Sequence, residues 1–380
     1  MQSLNNNELT LFPTSYQLIL ERINRINPVK YAKTRNFLNG DVTYLSAYIA
    51  RGVISVRQIK DTVLQKGYKP YEIEKFLQEL AWREYYQRVW QVKKEELFTD
   101  LKQPQPDFLH HQMPTTIVNA STGIKVIDDQ INDFYGSGYL HNHIRMYLAA
   151  MVCNNAKSHW LTPARWMYYH LLDGDLASNS CSWQWVAGSF SSKKYYCNQE
   201  NINKYTLTSQ AHTFLDASYE HIATMPVPNA LEATTTLDLK TILPQTEVPT
   251  LDTSKPTLLY NSYNLDPLWR ATENVNRVLL LEPSHFNQYP VSEKVIDFII
   301  SLSKNIDGII MYTGEVDVLT KQYENADLKI SNTFFSKEHP AFEYYPGIKD
   351  SRDWMFPNTE GYYPSFFSFW KKGISTKNKN

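Results

Sequence analysis

The period of the apolar residues changes once along this chain, and that change limits the fold more than any other feature. From Leu11 to about Ala223 apolar residues recur every three or four positions. In PYEIEKFLQELAWREYYQRVWQVKKEEL, for example, Ile73, Phe76, Leu77, Leu80 and Ala81 fall on one helical face with charges between them. HNHIRMYLAAMVCNNA and TPARWMYYHLL continue in that style, the second with Thr162 as the expected N-cap and Pro163 at the first helical position. Around Met225–Lys255 the pattern dissolves into Pro, Thr and acidic residues without periodicity, the composition of a linker. Beyond it the strand-length runs PTLLYNS, RVLLLEP and DGIIMYT alternate with a helical stretch, VSEKVIDFIISLSK, which predicts a mainly parallel sheet. The expected architecture is mostly α: an all-helical domain over 1–225, a linker over 226–255, and a smaller Rossmann-like α/β domain over 256–380. The tail KKGISTKNKN is expected to fray.

Charge and cysteine content narrow the class. The 380 residues carry 38 Lys plus Arg against 39 Asp plus Glu, but unevenly: residues 1–210 hold 23 basic and 18 acidic side chains, residues 211–380 hold 15 and 21. A mildly basic first half suits a polyanion and equally suits a solvated surface. Three scattered cysteines (Cys153, Cys181, Cys197) cannot staple a chain of this size, so a reduced, cytoplasmic protein is expected. MQSLNNNELT has no basic and apolar leader pattern, and no stretch approaches 18 apolar residues, so neither secretion nor membrane spanning is expected.

Most chemical motifs are missing. There is no GxGxxG after a strand, no Walker loop, no HExxH and no CxxC pair. DGDLASN opens like a calcium loop, but Ser178 and Gln184 stand where Gly and Glu are required, so no metal is expected. His141 and His143, two positions apart on a helix, point to different faces, which favours a structural or phosphate-contacting role over a metal site. What remains is a set of polar residues in aromatic helices: Glu79 and Arg83, Asn142 and Arg145, Asp173, Asp175 and Asn179. Trp82, Met146, Trp183 and Trp185 crowd the same segments, so these polar groups are expected in a desolvated cavity where each needs a partner. A large polar aromatic cofactor would supply such partners.

The stretches NGDVTYLSAYIARGVIS, FLQELAWREYY, TGIKVIDDQINDFYGSGYLHNHIRM and LLDGDLASNSCSWQWVAG occur in that order, and over Tyr31–Tyr205 they resemble the FAD-binding helical domain of the photolyase/cryptochrome family. The resemblance implies a buried FAD. Tyr31, Thr43, Leu45 and Ser46 would hold its pyrophosphate ahead of a helix N-terminus. Arg83 and Asn142 would contact flavin and phosphates, Asp175 would accept the ring N3–H, Asn179 would face N5, and Arg145 and Asp173 would form a buried ion pair beside the ring. Glu79, Trp82, Asn142, Met146 and Asn179 match the catalytic side, with Trp82 stacking on and Glu79 bonding to a flipped pyrimidine dimer, the cyclobutane dimer being the expected lesion. Trp183 and Trp160 match the first two members of an electron relay. His143, Trp82 and Trp185 would contact DNA.

The implied function is light-driven repair of pyrimidine dimers in DNA by a carbon–carbon lyase, electron transfer coming from photoexcited reduced flavin. The alternative is a cryptochrome-like blue-light receptor without repair, and a flavoprotein without light chemistry is a third reading. A monomer is expected. Several positions depart from the family pattern: His143 and Asn132 replace Arg, Lys125 replaces Pro, the segment after Gly188 lacks the usual aromatic-Phe-Arg run, and no Trp lies near Asp107, where the third relay member belongs. Three cysteines exclude the iron–sulfur branch. The family's α/β antenna domain precedes the helical one, whereas here an α/β part follows it. YNSYNLDPLWRATENVNRVLLLEPSHF and EGYYPSFFSFWKK faintly echo that antenna domain, so two readings stand, a circularly permuted relative and an unrelated α/β domain attached downstream, with no support in the sequence for a bound antenna chromophore.

Overall fold

The computed structural model describes residues 11–324 and 333–375. Its helical part is built on α1 (Tyr16–Asn24), α2 (Pro28–Thr34), α3 (Ser46–Ala50), α4 (Val56–Gln65), α5 (Glu74–Lys93), α6 (Lys125–Ser137), α7 (Asn142–Ala150), α8 (Leu161–His170) and α9 (Leu176–Ala187). Local chemistry sets several boundaries. The Asn27 side chain accepts the Lys30 N–H ahead of Pro28, and the Ser55 hydroxyl accepts the Gln58 N–H at the start of α4. Asp175 caps α9, which ends at Gly188 with φ 84°. The helix α8 begins two residues earlier than expected: Trp160 occupies the N-cap position, so Thr162 lies inside the first turn and caps nothing, while Pro163 is tolerated because first-turn N–H groups lack intrahelical partners. The helix α7 runs on into a buried π-turn at Met151–Asn155.

Five strands, β1 (Thr257–Tyr260), β2 (Asn276–Leu281), β3 (Ile309–Thr313), β4 (Phe334–Lys337) and β5 (Ile348–Asp350), form one sheet in the order β3-β2-β1-β4-β5. All neighbours are parallel, with Leu259 opposite both Val278 and Ser336. This is a doubly wound sheet, and its strand order reverses between β1 and β4. The expected strands are β1, β2 and β3 and the expected helix is α10 (Glu293–Ser303); β4 and β5 are additions to the expected sheet, β5 being only three residues long with two charged side chains. The helix α11 (Val316–Glu324) also belongs to this domain, and α12 (Phe366–Ser375) closes the described chain. The start of the tail expected to fray is thus helical, and its last five residues lie outside the described ones.

Two hydrophobic cores divide the molecule, and they do not follow the sequence boundary. One gathers Met113, Ile131, Tyr147, Trp160 and Trp166 of the middle helices. The other joins Phe12, Tyr48, Phe76 and Tyr85 of the first hundred residues to Leu258, Leu279, Ile299 and Phe369 of the α/β part. Arg51, fully buried, ties the parts together, donating to the Leu171 and Leu172 carbonyls on one side and the Ser262 carbonyl on the other. Tyr168 and Tyr263 share a hydroxyl–hydroxyl bond of 2.7 Å across the same seam. The segment 226–255 is a pinned strap: Thr241 bonds Val291 through both backbone groups, Thr246 accepts the Thr313 N–H, and Leu251 is buried.

Candidate functional site

The helix α5 carries the stripe from which the site is built. Residues four apart lie on one face, and Glu79, Arg83 and Gln87 follow that spacing. Arg83 reaches the Ser46 carbonyl at 3.5 Å and the Asp175 carboxylate at 3.7 Å, so it links the start of α3 to the start of α9. One Asp175 oxygen caps α9 by accepting the Ser178 N–H at 2.6 Å, and the other accepts the Gln87 amide at 2.5 Å. Beside it Arg145 holds both oxygens of Asp173 at 3.0 Å and also donates to the Leu140 carbonyl. Burial works against the Asp173 charge, but the Arg145 and Arg83 guanidiniums and hydrogen bonds from Arg145 and Ser46 hold its carboxyl below the usual range. Ser46, Arg83, Arg145, Asp173 and Asp175 therefore form one continuous polar network in a desolvated setting.

The phosphate end expected around Tyr31 and Thr43 opens on a cavity of about 570 Å³ that Arg22, Arg25 and Tyr44 also line. Tyr31 packs edge-on against Phe76, and Leu45 is buried, leaving only its backbone for a ligand. The helix α3 is five residues long, so its dipole offers an anion little, and the hydroxyls and Arg22 are the stronger donors there. Arg83 and Asp175 line a second cavity of about 370 Å³, which reaches Asn264 and His339 beyond the ends of β1 and β4, where the strand order reverses. The Asp175 carboxylate, expected to be free for a ring N–H, is already shared by the cap, Gln87 and Arg83. A flavin would have to displace one of them.

The remaining expected residues occupy the rim. Glu79 is paired with Lys75 at 2.8 Å and Arg35 at 3.4 Å. Trp82 is half-buried, one face stacked on Phe366 with centroids 3.9 Å apart and 10° between planes. Asn142 is exposed at the first turn of α7, its amide 3.7 Å from the Met146 sulfur. Asn179 donates its amide to the Ala164 carbonyl at 2.8 Å, which fixes its orientation. His143 packs on Tyr205, and burial pushes its pKa down to about 4, so at neutral pH it brings no positive charge to a phosphate. Trp183 and Trp160 are buried, whereas Trp185 is 40% exposed and lies near Tyr195. Asp107, at the position of the missing third Trp, is an exposed partner of Lys194.

Sequence reasoning missed the C-terminal contribution. Arg352 bonds Gln87 at 2.6 Å, Glu84 accepts the Met355 and Phe356 N–H groups, and Arg88 sits over the Trp354 ring at 3.6 Å. The four-residue spacing of Gln87 from Arg83 was a readable signal for the first of these. Nothing local marks Arg352 or Phe366, whose relevance arises only from folding.

Residues 76–229 match the family described as the FAD binding domain of DNA photolyase. Among curated proteins, the deoxyribodipyrimidine photo-lyase of Alkalihalophilus pseudofirmus is 30% identical over 148 residues, which is 38% of this chain and 30% of that protein. That of Escherichia coli is 30% identical over 173 residues (42% and 36%), and that of Buchnera aphidicola 26% over 232 residues (52% and 47%). The matches thus cover less than half the length of these relatives. Among solved structures, a Synechocystis cryptochrome aligns with TM-score 0.46 at 23% identity, covering 50% of this chain and 43% of that one. A class III photolyase of Agrobacterium tumefaciens aligns with TM-score 0.46 at 22% identity, covering 53% and 45%. No helix among the described residues is long and apolar enough to cross a membrane.

Proposed function

We propose that this chain, whose helical domain belongs to the FAD-binding domain family of the photolyases and cryptochromes, is a photolyase-like flavoprotein that repairs pyrimidine dimers in DNA. The observation that carries the reading is the network of Arg83, Arg145, Asp173 and Asp175 around one desolvated site, with Trp82 and Met146 half-buried at its rim. The residues present fit FAD. Arg83 and Arg145 offer cationic donors, Thr43 and Ser46 offer hydroxyls, and the Ser178 hydroxyl, one turn from Asp175, is buried without a hydrogen-bond partner. FAD, when bound, supplies light absorption and one-electron chemistry.

The chain's own residues then have separable tasks. Arg145 and Asp173 hold each other and present a fixed dipole beside the ring. Asn179, oriented by the Ala164 carbonyl, presents its amide. Trp82, backed by Phe366, offers an indole face on which an extruded base can stack, with Glu79 and Asn142 as polar contacts. Trp183 and Trp160 carry electrons inward. The doubly wound parallel sheet, whose strand order reverses between β1 and β4, supports descent of the α/β part from a permuted antenna domain.

The test is binding and repair of dimer-containing DNA. Trp82→Ala should weaken lesion binding by about 1–3 kcal/mol while flavin content is unchanged. Equal affinity for damaged and undamaged DNA favours the blue-light receptor instead, a reading supported by the neutral state of His143 at the rim.

A further inference from the structure

Trp160 is fully buried, yet its indole N–H is not idle: it donates to Asp100 Oδ1 at 2.7 Å. The other oxygen of Asp100 accepts the Gln105 N–H at 2.8 Å, and the Gln105 side chain returns to accept the Trp160 backbone N–H at 2.9 Å. Both oxygens of the carboxylate are thereby held, one by the indole N–H and the other by the Gln105 N–H. On its outer side His159 Nε2 lies 3.5 Å from the same Oδ1, and the His159 ring is 4.8 Å from that of exposed His111. A file of proton-carrying groups therefore runs from the buried indole to the surface at the place where the expected third relay Trp is missing.

We infer that Asp100 is the proton acceptor of Trp160 during photoreduction, so that the oxidised relay is trapped by proton loss rather than by a further electron donor. The inference deepens the proposed flavin reading and rests on it. With FAD bound, its photoexcited oxidised form would supply the one-electron oxidant, and Trp183 would relay to it the electron given up by Trp160. The Trp160 N–H bond breaks, its proton forms an O–H bond on Asp100, and Trp160 is left as a neutral indolyl radical. Trp160 is oxidised by one electron, which the bound flavin would accept. An indole that has lost an electron is a far stronger acid than the neutral ring, and a carboxylate already hydrogen-bonded to it takes the proton without reorganisation. Transfer onward to His159 opens the way to solvent and slows return of the electron.

The experiment is flash photolysis of the FAD-loaded protein with detection of the tryptophan radical, in light and heavy water. The expected result is a neutral indolyl radical whose appearance is slower in heavy water. In Asp100→Asn, which keeps a hydrogen-bond acceptor but cannot take the proton, that species is lost, leaving a short-lived radical cation. Asp100→Glu restores it, and flavin content is the same in all three. A radical that stays protonated in the unmodified protein, or a neutral radical formed equally fast in Asp100→Asn, overturns the inference. Should Asp100→Asn fail to fold, a radical that stays protonated in the unmodified protein still overturns the inference, and Asp100→Ser, which also removes the carboxylate, replaces it as the test of the acceptor. Absence of any tryptophan radical with flavin bound removes the relay and the inference with it, whereas failure to bind flavin at all removes the proposed function itself.

Discussion

Individual residues in this protein matter most where a charge has been taken out of water. Asp173 is 7% exposed and holds Arg145 through both oxygens. Replacing it by Asn leaves the guanidinium without its counter-ion, a loss of about 3–5 kcal/mol for a buried pair. Asp173→Asn should therefore lower the unfolding free energy by that order and release flavin, which urea titration and absorbance both read. Histidine is a second case. Burial holds His141, His143 and His170 neutral, with pKa values lowered from 6.5 to about 4. Between those values the unfolded chain takes up protons that the fold refuses, so stability is present above pH 6.5 and falls as the pH drops toward 4. His170 sits among Phe134, Tyr135 and Trp166, an environment that suits a phenyl ring. His170→Phe should flatten part of that decline in urea titrations across the same range.

At the scale of elements the informative contact is between α5 and α12. Phe366 is almost fully buried and covers one face of Trp82 while touching Tyr85 and Trp370. Phe366→Ala should cost about 3–5 kcal/mol as a large-to-small change in a packed site, and should red-shift and broaden Trp82 fluorescence because the indole gains water. Unchanged emission would show that α12 does not support the platform. This contact also marks the limit of what the sequence could reveal. The start of α5 is legible because Phe76, Leu77, Leu80 and Ala81 recur at three- and four-residue spacing in its first turns, and Glu79, Trp82 and Arg83 could be placed on it from that spacing. Phe366 could not be connected to Trp82, because 284 residues separate them and no local pattern encodes the meeting of two elements. The strands β4 and β5 were missed for a related reason: β4 is held by β1 and β5 on its two sides and the edge strand β5 by β4, not by their own composition.

On the scale of the whole molecule, the linker suggested by the Pro- and Thr-rich composition is instead bonded along its length, and one core joins the first hundred residues to the α/β part. A fully buried arginine and the Tyr168–Tyr263 pair cross the same seam. Such an interface couples the parts energetically. Calorimetry should show a single unfolding transition, and Arg51→Ala, by stranding three carbonyls, should split it into two. The proposed function requires the Arg83, Arg145, Asp173 and Asp175 network to hold a flavin. It is tested most directly by the absorption spectrum of the purified protein, with released cofactor quantified. The expected protein is yellow, with about one FAD per chain that is lost on Asp173→Asn; a colourless protein that FAD cannot reconstitute would rule out a flavin site.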